Sequence, residues 1–131
     1  AQTTRMEVSA LSPYTGILGD GNVGGRFPAY LKKAGYDQII VTGRSEEPQY
    51  LWIDDDVVEF KDASDLWGKN THETARLLEE KHGRDIATAC IGIGGENLVR
   101  FSTTIVDKFS SASRGTGAVW GSKNLKAIAT H

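Results

Sequence analysis

The sequence has 131 residues, of which 39% are hydrophobic and 24% charged, the balance of a single folded domain. Fifteen basic and 17 acidic residues give a net charge of −2, which argues against a basic nucleic-acid-binding surface, and no apolar run reaches the roughly 18–20 residues of a membrane span. One cysteine, Cys90, excludes an internal disulfide; with no signal-peptide core at the start, a reducing cytoplasm is the expected location.

Met6 to Ala10 reads as a short strand that enters a turn at Ser12-Pro13-Tyr14-Thr15-Gly16. Gly19 to Gly25 reads as a loop. Arg26 to Ala34 reads as a helix, with Pro28 in its first turn and Gly35 just past its end. Gln38 to Thr42, around Ile39-Ile40-Val41, has the look of a buried strand, and Gly43 to Pro48 of a connection. Gln49 to Ile53 and Val57 to Lys61 form a hairpin across Asp54-Asp55-Asp56. The three aspartates fit a solvated turn, because no calcium-loop spacing follows them.

Asp62 to Gly68 suggests one helical turn. Thr71 to His82 is the clearest helix: Asn70 or Thr71 can cap it, Glu73 lies in its first turn, and Ala75, Leu77 and Leu78 give an apolar stripe. Lys81 and His82 suit its C-terminal end, and Gly83 stops it. His72 and His82 read as surface residues. Ile86 to Ile91 is a strand entering Gly92-Ile93-Gly94-Gly95, and Cys90 within it reads as a buried structural thiol. Asn97 to Thr104 reads as another strand, Thr116 to Ser122 as a short helix, and Leu125 to Thr130 as a last strand. The sum is an α+β chain with mixed β-sheets and a few helices, and the hairpin excludes a purely doubly wound sheet.

Fifteen glycines exceed the usual share of about 7%, and they cluster. The run Ser113-Arg114-Gly115-Thr116-Gly117-Ala118-Val119-Trp120-Gly121-Ser122-Lys123-Asn124-Leu125-Lys126 adds an arginine and two lysines to three glycines. Glycine lets backbone N–H groups approach a ligand, and arginine and lysine suit phosphate. Two readings stay open on this ground: an anion cradle, or tight turns in an α+β domain. Gly92 to Gly95 lacks the third glycine and the following helix of a dinucleotide fingerprint. Gly121-Ser122-Lys123 is not a P-loop, and neither a metal-ligand spacing nor a nucleophile elbow occurs.

Five segments carry a resemblance: Ser12-Pro13-Tyr14-Thr15-Gly16; Ala34-Gly35-Tyr36-Asp37-Gln38-Ile39-Ile40; Asp62-Ala63-Ser64-Asp65-Leu66-Trp67-Gly68-Lys69; Ile91 to Phe101; and Gly117 to Ile128. In order and spacing they resemble the tungsten-containing aldehyde ferredoxin oxidoreductases, and the tungsten subunit of benzoyl-CoA reductase is similar to the same domain type. The resemblance implies that residues 1–131 are a single, incomplete N-terminal cofactor-binding domain of a larger enzyme. It implies a tungsten or molybdenum bis-pterin, a magnesium ion bridging the pterin phosphates, and a [4Fe–4S] cluster held by cysteines outside this chain. The whole enzyme would oxidise an aldehyde to a carboxylic acid and pass electrons to ferredoxin; its partners would be its remaining domains and, as an option, a second copy.

By motif position the resemblance assigns pterin contacts to Arg5, Asn22, Gly24, Ser111, Ser113 and Arg114, with the backbone carbonyls of Asn22 and Ser111 on magnesium. One departure stands out. Where many relatives have Arg-Ala-Ala-Gly-Arg-Gly-Gly, this chain has Ser110-Ser111-Ala112-Ser113-Arg114-Gly115-Thr116, and Ser110 takes the place of an arginine. The alternative implied is a non-catalytic module that keeps the fold without the cofactor.

Overall fold

The computed structural model describes residues 4–131. A six-stranded mixed sheet organises them, in the order β4-β3-β8-β5-β6-β7, beside a two-stranded ribbon, β1-β2. The ribbon pairs β1 (Met6–Leu11) with β2 (Leu18–Val23) antiparallel, Met6 opposite Val23 and Leu11 opposite Leu18. In the large sheet β3 (Gln49–Asp54) and β4 (Val57–Asp62) form the expected hairpin. The last strand, β8 (Leu125–Thr130), lies inside the sheet, parallel to β3 and antiparallel to β5 (Ala87–Ile91).

Alternation along the strands builds two cores, one on each face. Leu51, Ile53, Ala87, Ala89 and Ile128 point to one face, with Val23, Val106, Ala112 and the Phe27 and Leu31 side chains of α1 (Phe27–Lys33). Tyr50, Trp52, Cys90, Ala127 and Ala129 point to the other, with Ala63, Leu66 and the Leu78 side chain of α2 (Thr71–His82). Coverage of both faces explains why all six residues of β8 are buried. Burial pushes the Cys90 thiol up to about 12, as expected of a structural cysteine.

The helices follow their local signals. The Asn70 side chain accepts the Glu73 N–H at 2.9 Å and Gly83 ends α2. Pro28 sits in the first turn of α1, and Gly35 follows it at φ +102°.

Four expectations are corrected. Gly19 to Gly25 is not a loop throughout, because its first five residues belong to β2. Gln38 to Thr42 forms no strand: Ile39 and Val41 pack on the core, but Ile40 is 75% exposed and the run has no ladder partner among the described residues. Asn97 to Thr104 is mostly turn. The one-turn helix α3 (Ile93–Glu96) runs into a left-handed Leu98, and pairing resumes only at β6 (Thr104–Val106). A further strand, β7 (Ser110–Ala112), was not expected; three residues are too short to leave a pattern. The helix α4 (Thr116–Ser122) has the expected bounds.

Candidate functional site

The ribbon lies directly on β7, and glycine makes that possible. On β2, Gly19, Gly21 and Val23 point inward, while Asn22 is exposed and Asp20 partly so. A Cβ on Gly21 would stand 2.5 Å from the Cα of Ala112, and one on Gly19 would stand 3.1 Å from the Arg114 carbonyl oxygen. No side chain fits either interval. The third contact along this crossing is a hydrogen bond, from the Gly24 N–H to the Ser110 hydroxyl at 2.9 Å. Asn22 therefore falls between the Gly21 and Gly24 contacts, and Ser111 between Ala112 and Ser110 on the facing strand.

Arg114 leaves β7 in the left-handed region, at φ +63°. The Ser12 hydroxyl donates to its carbonyl at 2.7 Å. Its Nη1 donates to the Asp20 carboxylate at 2.5 Å and to the Asp20 carbonyl at 3.2 Å. The guanidinium of Arg5 reaches the same band: Nη1 lies 3.7 Å from where a Gly24 Cβ would be. Asn22 donates through Nδ2 to Glu7 at 3.0 Å. Ser111, Ser113, Asn22, Arg5 and Arg114 are exposed and Gly24 is half-buried. Arg5 and Gly24 thus flank one end of the crossing and Arg114 the other, while Asn22 and Ser111 are exposed residues of the two strands that meet through Gly21 and Ala112.

The Arg114–Asp20 pair is half-exposed, so it is a weak tether, of the order of 1 kcal/mol or less. An incoming anion can compete for the guanidinium. Among the described residues no group of three or more His, Cys, Asp or Glu side chains could hold a metal. A cation here would rest on main-chain carbonyls and on ligand oxygens.

Part of the charge expected of the C-terminal run does not face this site. Lys126 is fully buried and paired with Glu96, and its Nζ also donates to the Lys69 carbonyl at 2.8 Å. Lys123 donates to the Gly43 carbonyl at 3.0 Å. The Gly92–Gly95 cluster is also committed elsewhere. A Cβ on Gly121 would stand 2.0 Å from the Gly95 carbonyl oxygen, so these glycines let α3 cross α4 in close contact. The sequence alone does not assign contacts to Asp20, Ser12 or Ser110, whose partners are distant in the chain; Ser12 lies inside a matching segment and Ser110 stands out only as a departure from the relatives' run.

This geometry can be set against known proteins. The family model described as aldehyde ferredoxin oxidoreductase, N-terminal domain, matches residues 1–131. The chain belongs to that family. It is 47% identical over 127 residues to the tungsten-containing aldehyde ferredoxin oxidoreductase of Pyrococcus furiosus, covering 95% of this chain and 21% of that protein. The Thermococcus kodakarensis enzyme of the same name is 49% identical over 127 residues, with the same coverage. The chain thus spans about a fifth of the length of these relatives. Among solved structures, the active-site complex BamBC of benzoyl coenzyme A reductase with 1,5-dienoyl-CoA superposes with a TM-score of 0.94 at 42% identity, over 98% of this chain and 20% of that one. The α+β fold of the aldehyde ferredoxin oxidoreductase N-terminal domain is therefore present here, and tungsten-containing oxidoreductases are its relatives. No helix among the described residues is long and apolar enough to cross a membrane.

Proposed function

We propose that the face formed by β2, β7 and the Arg114 turn binds the phosphate-bearing end of a tungsten or molybdenum bis-pterin, as part of a larger oxidoreductase. The observation that supports this reading most is the crossing of two strands distant in sequence, which sets Gly24 against Arg5 and Ser110 and the Arg114 turn against Gly19 and Asp20. The donor set fits such a ligand. Two guanidinium groups offer charge-assisted hydrogen bonds to phosphate, and two exposed serine hydroxyls add donors. The main-chain carbonyls of Asn22 and Ser111 are hard oxygen ligands of the kind magnesium takes.

When bound, the cofactor supplies the two-electron chemistry, and the protein supplies binding and orientation. Arg114 would exchange its Asp20 partner for a phosphate oxygen, while Arg5 would close the Gly24 side. Residues 1–131 would be one domain, continued by others that carry a [4Fe–4S] cluster, in a cytoplasmic enzyme that oxidises an aldehyde to a carboxylic acid and reduces ferredoxin. The likeness to a benzoyl-CoA reductase complex supports a second substrate reading, a thioester-linked aromatic ring.

The test is metal analysis of the full-length parent protein after anaerobic purification. Tungsten or molybdenum at about one per protein is expected, falling several-fold in Arg114→Gln. Absence of both metals and of pterin from the wild type would instead favour a module that has kept the fold alone. Aldehyde-dependent against benzoyl-CoA-dependent turnover of a viologen dye then separates the two substrate readings.

A further inference from the structure

The turn between β6 and β7, Asp107-Lys108-Phe109, has no part in the assigned contacts, yet it grips the glycine loop at both ends. At one end the Ser110 hydroxyl accepts the Gly24 N–H at 2.9 Å. At the other, the Asp107 carboxylate, only 6% exposed, accepts the Phe27 N–H at 2.7 Å and the Thr88 N–H at 3.2 Å. Between the two grips Gly25 sits at φ +98°, and a Cβ there would stand 2.5 Å from the Asp107 carboxylate. Asp107 and Lys108 both adopt left-handed backbone, at φ +48° and +71°, and the Phe109 N–H donates to the Val106 carbonyl at 3.3 Å, so the pair closes the β6–β7 hairpin as a tight turn. Lys108 is anchored in turn to Glu79 of α2 at 2.7 Å.

We propose that this turn is a clamp that presets the main chain of Asn22 to Gly25 for the cofactor, with Ser110 and Asp107 as positioning residues. The inference rests on the cofactor reading above and extends it. The Gly24 amide is already satisfied by Ser110, so the ligand meets a loop whose backbone is fixed before binding. Pre-organisation of this kind lowers the ordering cost of binding without adding a contact.

The test compares wild type, Ser110→Ala and Ser110→Thr in the full-length parent protein. Tungsten and magnesium content, melting temperature and hydrogen exchange in the peptide spanning residues 23–27 are read together. In Ser110→Ala the Gly24 amide should exchange about fivefold faster, the equivalent of one net hydrogen bond, and tungsten and magnesium content should fall while the melting temperature stays near wild type. Ser110→Thr, which keeps the hydroxyl, should restore both. Wild-type metal content in Ser110→Ala would overturn the clamp although the cofactor reading stands. A wild-type protein without tungsten, molybdenum or pterin would overturn the cofactor reading, and the clamp's role with it.

Discussion

His82 shows how a residue that reads as surface acquires a role from its neighbours. Its ring stacks on Trp52 with centroids 3.8 Å apart and planes 11° from parallel, and its Nε2 lies 2.8 Å from the Tyr50 hydroxyl. Burial against these rings, then the nearby Lys61 and Lys81 ammonium groups, hold its pKa below the ordinary value of 6.5, while Asp54 opposes them weakly. A histidine depressed in the folded state takes up its proton first in the unfolded chain. Its contribution is therefore complete above about pH 6.5 and is lost as pH falls from there towards the folded-state pKa. The urea midpoint should drop between pH 7 and pH 5.5, and His82→Asn should flatten that drop. An unchanged pH slope in the variant would assign the effect to other groups.

At the scale of elements, the candidate site is a crossing of two strands rather than a loop. Gly19 and Gly21 are poor strand residues by propensity, and they stand in β2 because β7 passes too close for a side chain. Gly21→Ala should separate the two strands. Its Cβ meets backbone atoms of Ala112, which cannot rotate away, so a loss of about 1–3 kcal/mol is expected in a denaturant titration. Tungsten content of the full-length protein should fall with it, since the strands that carry Asn22 and Ser111 would no longer meet at Gly21 and Ala112. A Gly21→Ala protein with unchanged stability and metal content would show that the crossing is not needed.

At the scale of the molecule, the buried Lys126–Glu96 pair ties three segments that are far apart in sequence. Lys126 comes from the middle of the sheet and Glu96 from α3. Both Glu96 carboxylate oxygens accept the Gly68 N–H at 3.0 Å, and Lys126 donates to the Lys69 carbonyl at 2.8 Å. A buried pair of this kind contributes little over an apolar substitute, but breaking it strands a charge. Lys126→Met should cost about 3–5 kcal/mol, and Lys126→Met with Glu96→Leu should recover part of it. Denaturant titration of the two variants decides this, and equal losses would mean the cost lies in packing rather than charge.

The same scale explains what could be read in advance. Helix α2 was legible because its cap, stripe and stop lie within fourteen residues, from Asn70 to Gly83. The β3–β4 hairpin was legible because its partner strands adjoin in sequence. Gln38 to Thr42 misled because a strand needs a neighbour as well as a pattern; Ile39 and Val41 reach the core without one, and Ile40 stays exposed. Lys126 misled because a lysine in a glycine-rich run looks like a phosphate ligand until its burial is known.

The sequence by itself determined the α+β class, the two main helices, the hairpin and the family resemblance, since each rests on residues close together or in a recognisable order. Tertiary structure alone decided that β8 is central, that Lys126 faces Glu96, that β2 crosses β7 on two glycines, and that Ser110 and Asp107 accept the Gly24 and Phe27 amides. These depend on pairings across 30 to 90 residues, where local pattern carries no information and only the closing of a shared core selects the partner.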